Sequence, residues 1–156
     1  ADAFDVAKLY LCGYTGTPPR KEITKVALGA EQTVPWEKRG QTWKVVEELR
    51  GQGVYVVALE NNVAQTLKNN VAQTFRSDIK AKALSYITSV PINQWRPKFP
   101  LALIVGNEVN GVSSGVLSRV DQVVHIPMLG VKESLNVSVA AGIALYAVRY
   151  GLGKLG

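Results

Sequence analysis

Two clusters in this chain have the residue types and spacing for ligand chemistry. The first is Gly106-Asn107-Glu108-Val109-Asn110-Gly111, directly after the apolar run Leu101 to Val105. Gly106 lets a backbone come close to a ligand, and Gly111 permits a tight turn. Asn107 and Glu108 then project where a substrate can be held. The second is Ile126-Pro127-Met128-Leu129-Gly130, followed by Ser134-Leu135-Asn136. Pro127 stops a strand because it has no N–H for the ladder. Gly130 lets the chain fold back, and Ser134 is placed to cap the next helix, with Asn136 in its first turn. Both clusters also have a plain structural reading: a Gly-rich turn with an N-cap at Ser113 or Ser114, and ordinary helix capping. Neither is a phosphate loop, since the Gly-Lys-Ser/Thr ending is absent, and the glycines are mis-spaced for a dinucleotide fingerprint. Capping leaves one feature unexplained. Val137 to Gly142 is a run of small residues, and small side chains call for close backbone approach. His125 lies inside a strand and reads as structural.

The elements that must position these clusters alternate between strand and helix. Lys8 to Gly13 is a short strand-like run. A helix follows Pro18 and Pro19, with Ile23, Val26 and Ala27 at helical spacing. Gln32 to Arg39 reads as a short extended piece, and Gln41 to Gly53 as an amphipathic helix ended by glycine. Val54 to Glu60 is too apolar for a strand with one exposed face, as expected in a covered parallel sheet. Leu101 to Glu108 and Gln122 to Met128 are two more strands, and a last helix runs from about Leu135 to Tyr150. This order predicts an α/β fold: a mostly parallel sheet with helices on both faces. Ligands of such sheets bind beyond the carboxyl ends of the strands, and those ends carry Leu59-Glu60-Asn61 and both polar clusters. One segment stands apart: Asn61 to Leu67 recurs almost unchanged at Asn69 to Phe75. Val63, Leu67, Val71 and Phe75 fall four apart and can line one helical face. That suits a partner-binding or RNA-contacting helix with Lys68, Arg76, Lys80 and Lys82. It also suits a duplicated surface insertion over 61–86, the reading favoured because surface loops tolerate insertions.

The 156 residues suit a single domain, 1–156. Hydrophobic residues at 47% and charged ones at 19% exclude a disordered chain. No apolar run is long enough to span a bilayer and no secretory signal opens the chain, so no membrane is expected. A lone Cys12 makes no internal disulfide, which points to the reducing cytoplasm. The net charge of +6 and a pI near 9.5 favour an anionic partner, most commonly nucleic acid. No metal is expected.

Leu101 to Gly151 closely resembles the last two signature motifs of the SPOUT superfamily, in its SpoU (TrmH-like) branch of RNA ribose 2′-O-methyltransferases. The matching positions are Asn107, Glu108 and Gly111 in one motif, and Ile126 to Met128 with Ser134 to Ser138 in the other. Ala1 to Pro19 and Lys25 to Lys38 look like the family's earlier region. The resemblance implies a deep trefoil knot, through which the last helix threads, and a homodimer. It implies an S-adenosyl-L-methionine pocket built from Leu59, Glu60, Gly106, Asn107, Gly111, Ile126, Pro127, Met128, Gly130, Ser134, Leu135 and Asn136. An apolar cleft with backbone donors and acceptors suits adenine.

The reaction implied is methyl transfer to a ribose 2′-hydroxyl of tRNA or rRNA. Its matching polar residues are Glu108, Ser134 and Asn136: Glu108 and Asn136 to position the loops and the ribose, Ser134 toward the nucleotide or cofactor. The same resemblance places the family's first strand, and a first motif with a hydroxyl-activating Arg, upstream of Ala1. Asp5 stands where the family usually has Gly, and Arg20 and Arg39 lie in other segments. Three accounts follow: a fragment or mis-started frame of an enzyme, a shortened relative, or another Arg supplied within the dimer. The alternative function is therefore a catalytically deficient knotted dimer that binds RNA or cofactor. Lys21, Lys25, Lys38, Arg39 and Lys132 are candidate RNA contacts.

Overall fold

The computed structural model describes residues 1–61, 89–107, 110–131 and 134–151. The chain divides into two units, Ala1–Val45 and Val46–Gly156.

In the first unit Leu9–Cys12 (β1) and Trp36–Arg39 (β2) pair in parallel, with Leu9 opposite Trp36 and Cys12 opposite Arg39. Parallel pairing needs a crossover, and it carries two short helices, Lys21–Ala27 (α1) and Ala30–Thr33 (α2). The helix expected after Pro19 is broken because Leu28 (φ 51°) and Gly29 (φ 94°) turn left-handed. The extended piece expected from Gln32 is helical as far as Thr33 and becomes strand only at Trp36. Of the three apolar residues at helical spacing, Val26 is 78% exposed, so α1 does not bury that stripe. Thr42–Gly51 (α3) is the expected amphipathic helix, and the division between units falls inside it.

The second unit is built on four parallel strands: Tyr55–Leu59 (β3), Val90–Pro91 (β4), Leu101–Val105 (β5) and Gln122–His125 (β6), in the order β4-β6-β3-β5. Val56, Val57, Ala58 and Leu59 are all buried, so both faces of β3 are covered, as its composition requires. Val57 and Leu59 share one face with Val124 of β6, packed with Ile92, Trp95 and two alanines, Ala144 and Ala147, of the last helix. Ser114–Leu117 (α4) follows β5, and Val137–Tyr150 (α5) follows β6. Successive residues of α5 at 140, 144, 147 and 148 meet this core, a 3.6-residue stripe.

The amino end of β3 is fastened by Asp121. Its carboxylate accepts the Val56 N–H (2.8 Å) and pairs with Arg50 (2.8 Å). Arg50 and Asp121, with Gly53, Val54 and Tyr55, line a cleft of about 410 Å³. Burial, and then the Asp121 charge, raises the pKa of the Tyr55 hydroxyl, which donates to Gln122. This cleft is at the end of the strands opposite to where parallel sheets bind ligands. No helix among the described residues is long and apolar enough to cross a membrane. The repeated segment, Asn61 excepted, lies outside the described residues.

Candidate functional site

Three strand ends lie side by side. Leu59 pairs with Val105 of β5 and with Val124 of β6. Glu60, Gly106 and Ile126 therefore leave the sheet from one edge, with the chain after β3 between the other two. Both polar clusters of the sequence are thus neighbours in space.

Glu60 holds the turn after β5. Its residue is 8% exposed, and Oε2 accepts the Val112 N–H at 2.7 Å. A side chain at Gly111 would fall on that carboxylate, and Gly111 has φ +61°. Glycine is required there on both counts. The turn closes on itself: Gly111 N–H donates to Asn107 O at 2.8 Å, Asn107 N–H returns a bond to Gly111 O at 3.2 Å, and Asn107 Oδ1 accepts Asn110 N–H. A Cβ at Gly106 would lie 2.5 Å from Val112 N and still nearer the Gly111 carbonyl carbon. The close approach expected at Gly106 is therefore made by the chain's own backbone. Glu108 lies outside the described residues.

Asn61 holds the loop after β6, and the sequence reading had left it out of the site. Its Oδ1 accepts the Ile126 N–H and its Nδ2 donates to Ile126 O, both at 3.0 Å. The side chain thus continues the parallel ladder by one residue, just before Pro127 ends it. The signal was its place directly after Glu60, since successive residues of an extended chain point opposite ways. Its membership in the repeat hid that signal. Asn61→Ala is expected to weaken cofactor binding about tenfold, from two half-buried hydrogen bonds of roughly 0.5–1.5 kcal/mol each, while Asn61→Asp, which keeps the acceptor alone, falls between. Calorimetric titration with S-adenosylhomocysteine reads this; equal affinities would remove Asn61 from the site.

Beyond Ile126 the loop is open. Pro127 is exposed and Met128 half-buried, while Leu129 and Val131 are fully exposed apolar side chains. Gly130 has no positive φ, and an added Cβ there meets nothing, so the fold-back does not require glycine. The helix cap is not Ser134 but Asn136: its Oδ1 accepts the Ser138 N–H at 2.9 Å and the Ser138 hydroxyl at 2.5 Å. The helix accordingly starts at Val137, two residues later than expected. Ser134 and Asn136 are exposed, Leu135 half-buried. Of the run Val137 to Gly142, Ala140 meets the core, and the packing continues beyond the run at Ala144 and Ala147; a Cβ at Gly142 meets nothing. His125 hydrogen-bonds Ser89 Oγ through Nδ1 (2.9 Å) and gives its carbonyl to Ile92, a structural position.

Of the candidate RNA contacts, Lys38 donates to two carbonyls of its own unit and Arg39 pairs with Glu37. Lys21 and Lys25 are exposed on α1, and Lys132 lies outside the described residues. The exposed Lys8–Glu37 hydrogen bond raises the lysine pKa and lowers that of the glutamate.

Chemically, the edge offers two tethered loops, backbone N–H and C=O groups at Gly106 and beyond Ile126, and apolar side chains that nothing covers. That is the donor set an adenosine-bearing ligand needs, so the residues fit S-adenosylmethionine.

Comparisons with known proteins agree with this geometry. A 23S rRNA (guanosine-2′-O-)-methyltransferase RlmB of Ralstonia nicotianae is 34% identical over 128 residues, 81% of this chain and 41% of that protein. The chain spans about half the length of the curated relatives it matches. The solved A. aeolicus TrmH/SpoU tRNA modifying enzyme superposes with a TM-score of 0.71 at 28% identity, over 96% of this chain and 63% of that one. An AdoMet-bound rRNA methyltransferase from Sinorhizobium meliloti has the same fold (TM-score 0.73, 23% identity, 95% of this chain and 47% of that one). The model of the SpoU rRNA Methylase family matches residues 1–146, and the chain belongs to that family.

Proposed function

We propose that this chain is an S-adenosylmethionine-dependent RNA methyltransferase domain that methylates a ribose 2′-hydroxyl of ribosomal or transfer RNA. The observation that carries the proposal is the pair Glu60 and Asn61. Consecutive residues at one strand end tether the two loops that bear the family's motifs. The relatives' printed names supply the reaction and the two RNA classes, and such RNAs put the work in the cytoplasm.

Bound there, S-adenosylmethionine supplies a methyl group already activated on a sulfonium. The protein's task is then alignment and proton handling. The loop from Ile126 to Gly130, Leu135, and the backbone near Leu59, Gly106, Asn107 and Gly111 hold the cofactor. Asn136 has its carbonyl oxygen engaged in the cap, which leaves its amide N–H groups to a ribose or loop oxygen. Ser134, exposed just ahead of it, offers a hydroxyl to the nucleotide. Glu108, outside the described residues, is assigned with Asn136 to positioning the loops and the ribose. No metal takes part in this scheme.

Two further features belong to the proposal. β6 enters the sheet between β3 and β4, although β4 and β5 precede it in the chain. A late strand between earlier ones supports the trefoil knot, with α5 threading it. On α5, Val139, Ile143, Tyr146 and Tyr150 are 51%, 37%, 48% and 56% exposed and follow a 4-3-4 spacing. Such a stripe supports a homodimer in which the helix packs on its copy. Sedimentation at micromolar concentration then gives twice the chain mass; a monomer contradicts it.

The activity test uses the chain with methyl-labelled cofactor and, separately, unmodified tRNA and rRNA transcripts. One of the two takes up label. Cofactor binding without transfer to either contradicts the proposed reaction.

A further inference from the structure

In the first unit one aromatic ring is held out into solvent by a rigid turn. Tyr14 is 108% exposed, as open as in an isolated extended peptide. Its backbone, by contrast, is fastened from several sides. Thr15 N–H donates to Cys12 O at 3.1 Å, closing a tight turn around Gly13 and Tyr14. Gly13 N–H donates to Arg39 O at 3.0 Å, which ties the turn to the end of β2. Gly13 has φ +55°, a conformation that favours glycine. Lys38 of β2 donates its ammonium to Gly13 O and Thr15 O, both at 2.6 Å, one carbonyl on each side of the tyrosine.

The turn ties β1 to β2, but the ring it carries packs on nothing. The tyrosine buries nothing, and the ammonium that braces its carbonyls is aligned on loop backbone rather than on a carboxylate. What it provides is a preorganised ring, with only two side-chain torsions left to order on binding. Two cations follow the turn closely in the chain, ahead of one acid, Glu22. The Arg20 side chain lies against Gly16, where a Cβ would sit 3.5 Å from its guanidinium, and Lys21 follows it at the exposed start of α1. Fixed aromatic faces beside Arg and Lys are how proteins hold unpaired bases, the ring stacking on the base while the cations meet phosphate.

We propose that Tyr14 is a stacking platform for an unpaired base of the RNA substrate, flanked by Arg20 as a phosphate contact. The inference rests on the RNA reading above and names the feature of the RNA this unit recognises: a base out of its helix, rather than duplex shape.

The test measures fluorescence anisotropy of a short labelled RNA single strand, and of the same strand annealed to its complement, against the full chain. Loss of one stacked base corresponds to about tenfold in affinity. Tyr14→Ala is therefore expected to raise Kd for the single strand about tenfold and leave the duplex Kd unchanged. Tyr14→Trp binds the strand as well as wild type or better, and Tyr14→Leu behaves like alanine, because stacking needs a π face rather than apolar area. The ring is uncovered, so all three variants keep the wild-type melting midpoint. Equal single-strand affinity of Tyr14→Ala and wild type, or full rescue by leucine, overturns the stacking role and leaves the methyltransferase reading intact. Wild type that binds neither RNA overturns both.

Discussion

Gly106→Ala is expected to lower affinity for S-adenosylmethionine roughly 100-fold and to abolish measurable methyl transfer. The added methyl would meet the backbone of Gly111 and Val112, not the tip of a flexible side chain. Nothing can rotate aside, so the backbone at Gly111 and Val112 must move, or the end of β5 must. Overpacking of this kind costs about 1–3 kcal/mol, and 1.4 kcal/mol is tenfold in a binding constant. The upper end applies because the strained atoms belong to the loop proposed to hold the ligand. Gly51→Ala, at the end of α3 where an added Cβ meets nothing, serves as the control and keeps wild-type affinity. A Gly106→Ala protein that binds the cofactor normally would mean that this turn is not part of the pocket.

Glu60→Ala is expected to destabilise the chain by about 2–3 kcal/mol, the range for losing a hydrogen bond to a charged acceptor while its buried partner is stranded. The stranded partner is the Val112 N–H, in a residue 3% exposed. Glu60→Gln keeps an oxygen for the Val112 N–H and loses the charge assistance of that bond, so about 1 kcal/mol is lost there. Denaturant unfolding of the three proteins gives the order wild type, Gln, Ala. The comparison separates two roles. A carboxylate that braces the loop shows this order in stability, with cofactor affinity falling in step. A carboxylate that touches the cofactor shows equal stabilities and equal losses of affinity in both variants. The 2.7 Å bond to Val112 predicts the first outcome.

The strands and their carboxyl ends were legible because parallel strands read as apolar runs, as Tyr55–Leu59 and Leu101–Val105 do, although only the first is buried on both faces and the second, at the sheet edge, is half-buried with Val105 39% exposed. The meeting of the two polar loops was legible for the same reason: the polar residues stand where those runs stop. Tertiary detail was not. Ser134 and Asn136 are both good capping residues, and only the backbone decides; Asn136 is extended (φ −55°, ψ 138°) and the helix starts after it. The two-residue β4 has no periodicity to read, and its Val90–Pro91 is strand only because β6 lies beside it. The small residues were noticed as a run, but packing selects them by helical phase, so Ala144 and Ala147 matter and Gly142 does not. Asn61 was missed because it opens a repeat, and the contact of Gly106 with the backbone of Gly111 and Val112 shows only in the folded turn. The deciding partner of Asn61, Ile126, is 65 residues away in sequence.

The central claim is the position of the methyl group, and alkali tests it most directly. A ribose methylated at its 2′-oxygen cannot attack the adjacent phosphate, so that linkage survives hydrolysis while all others break. RNA labelled by this chain is digested in alkali and its products are separated by size. The account predicts label in alkali-stable dinucleotides. Label in mononucleotides, which is methylation of a base, would contradict it.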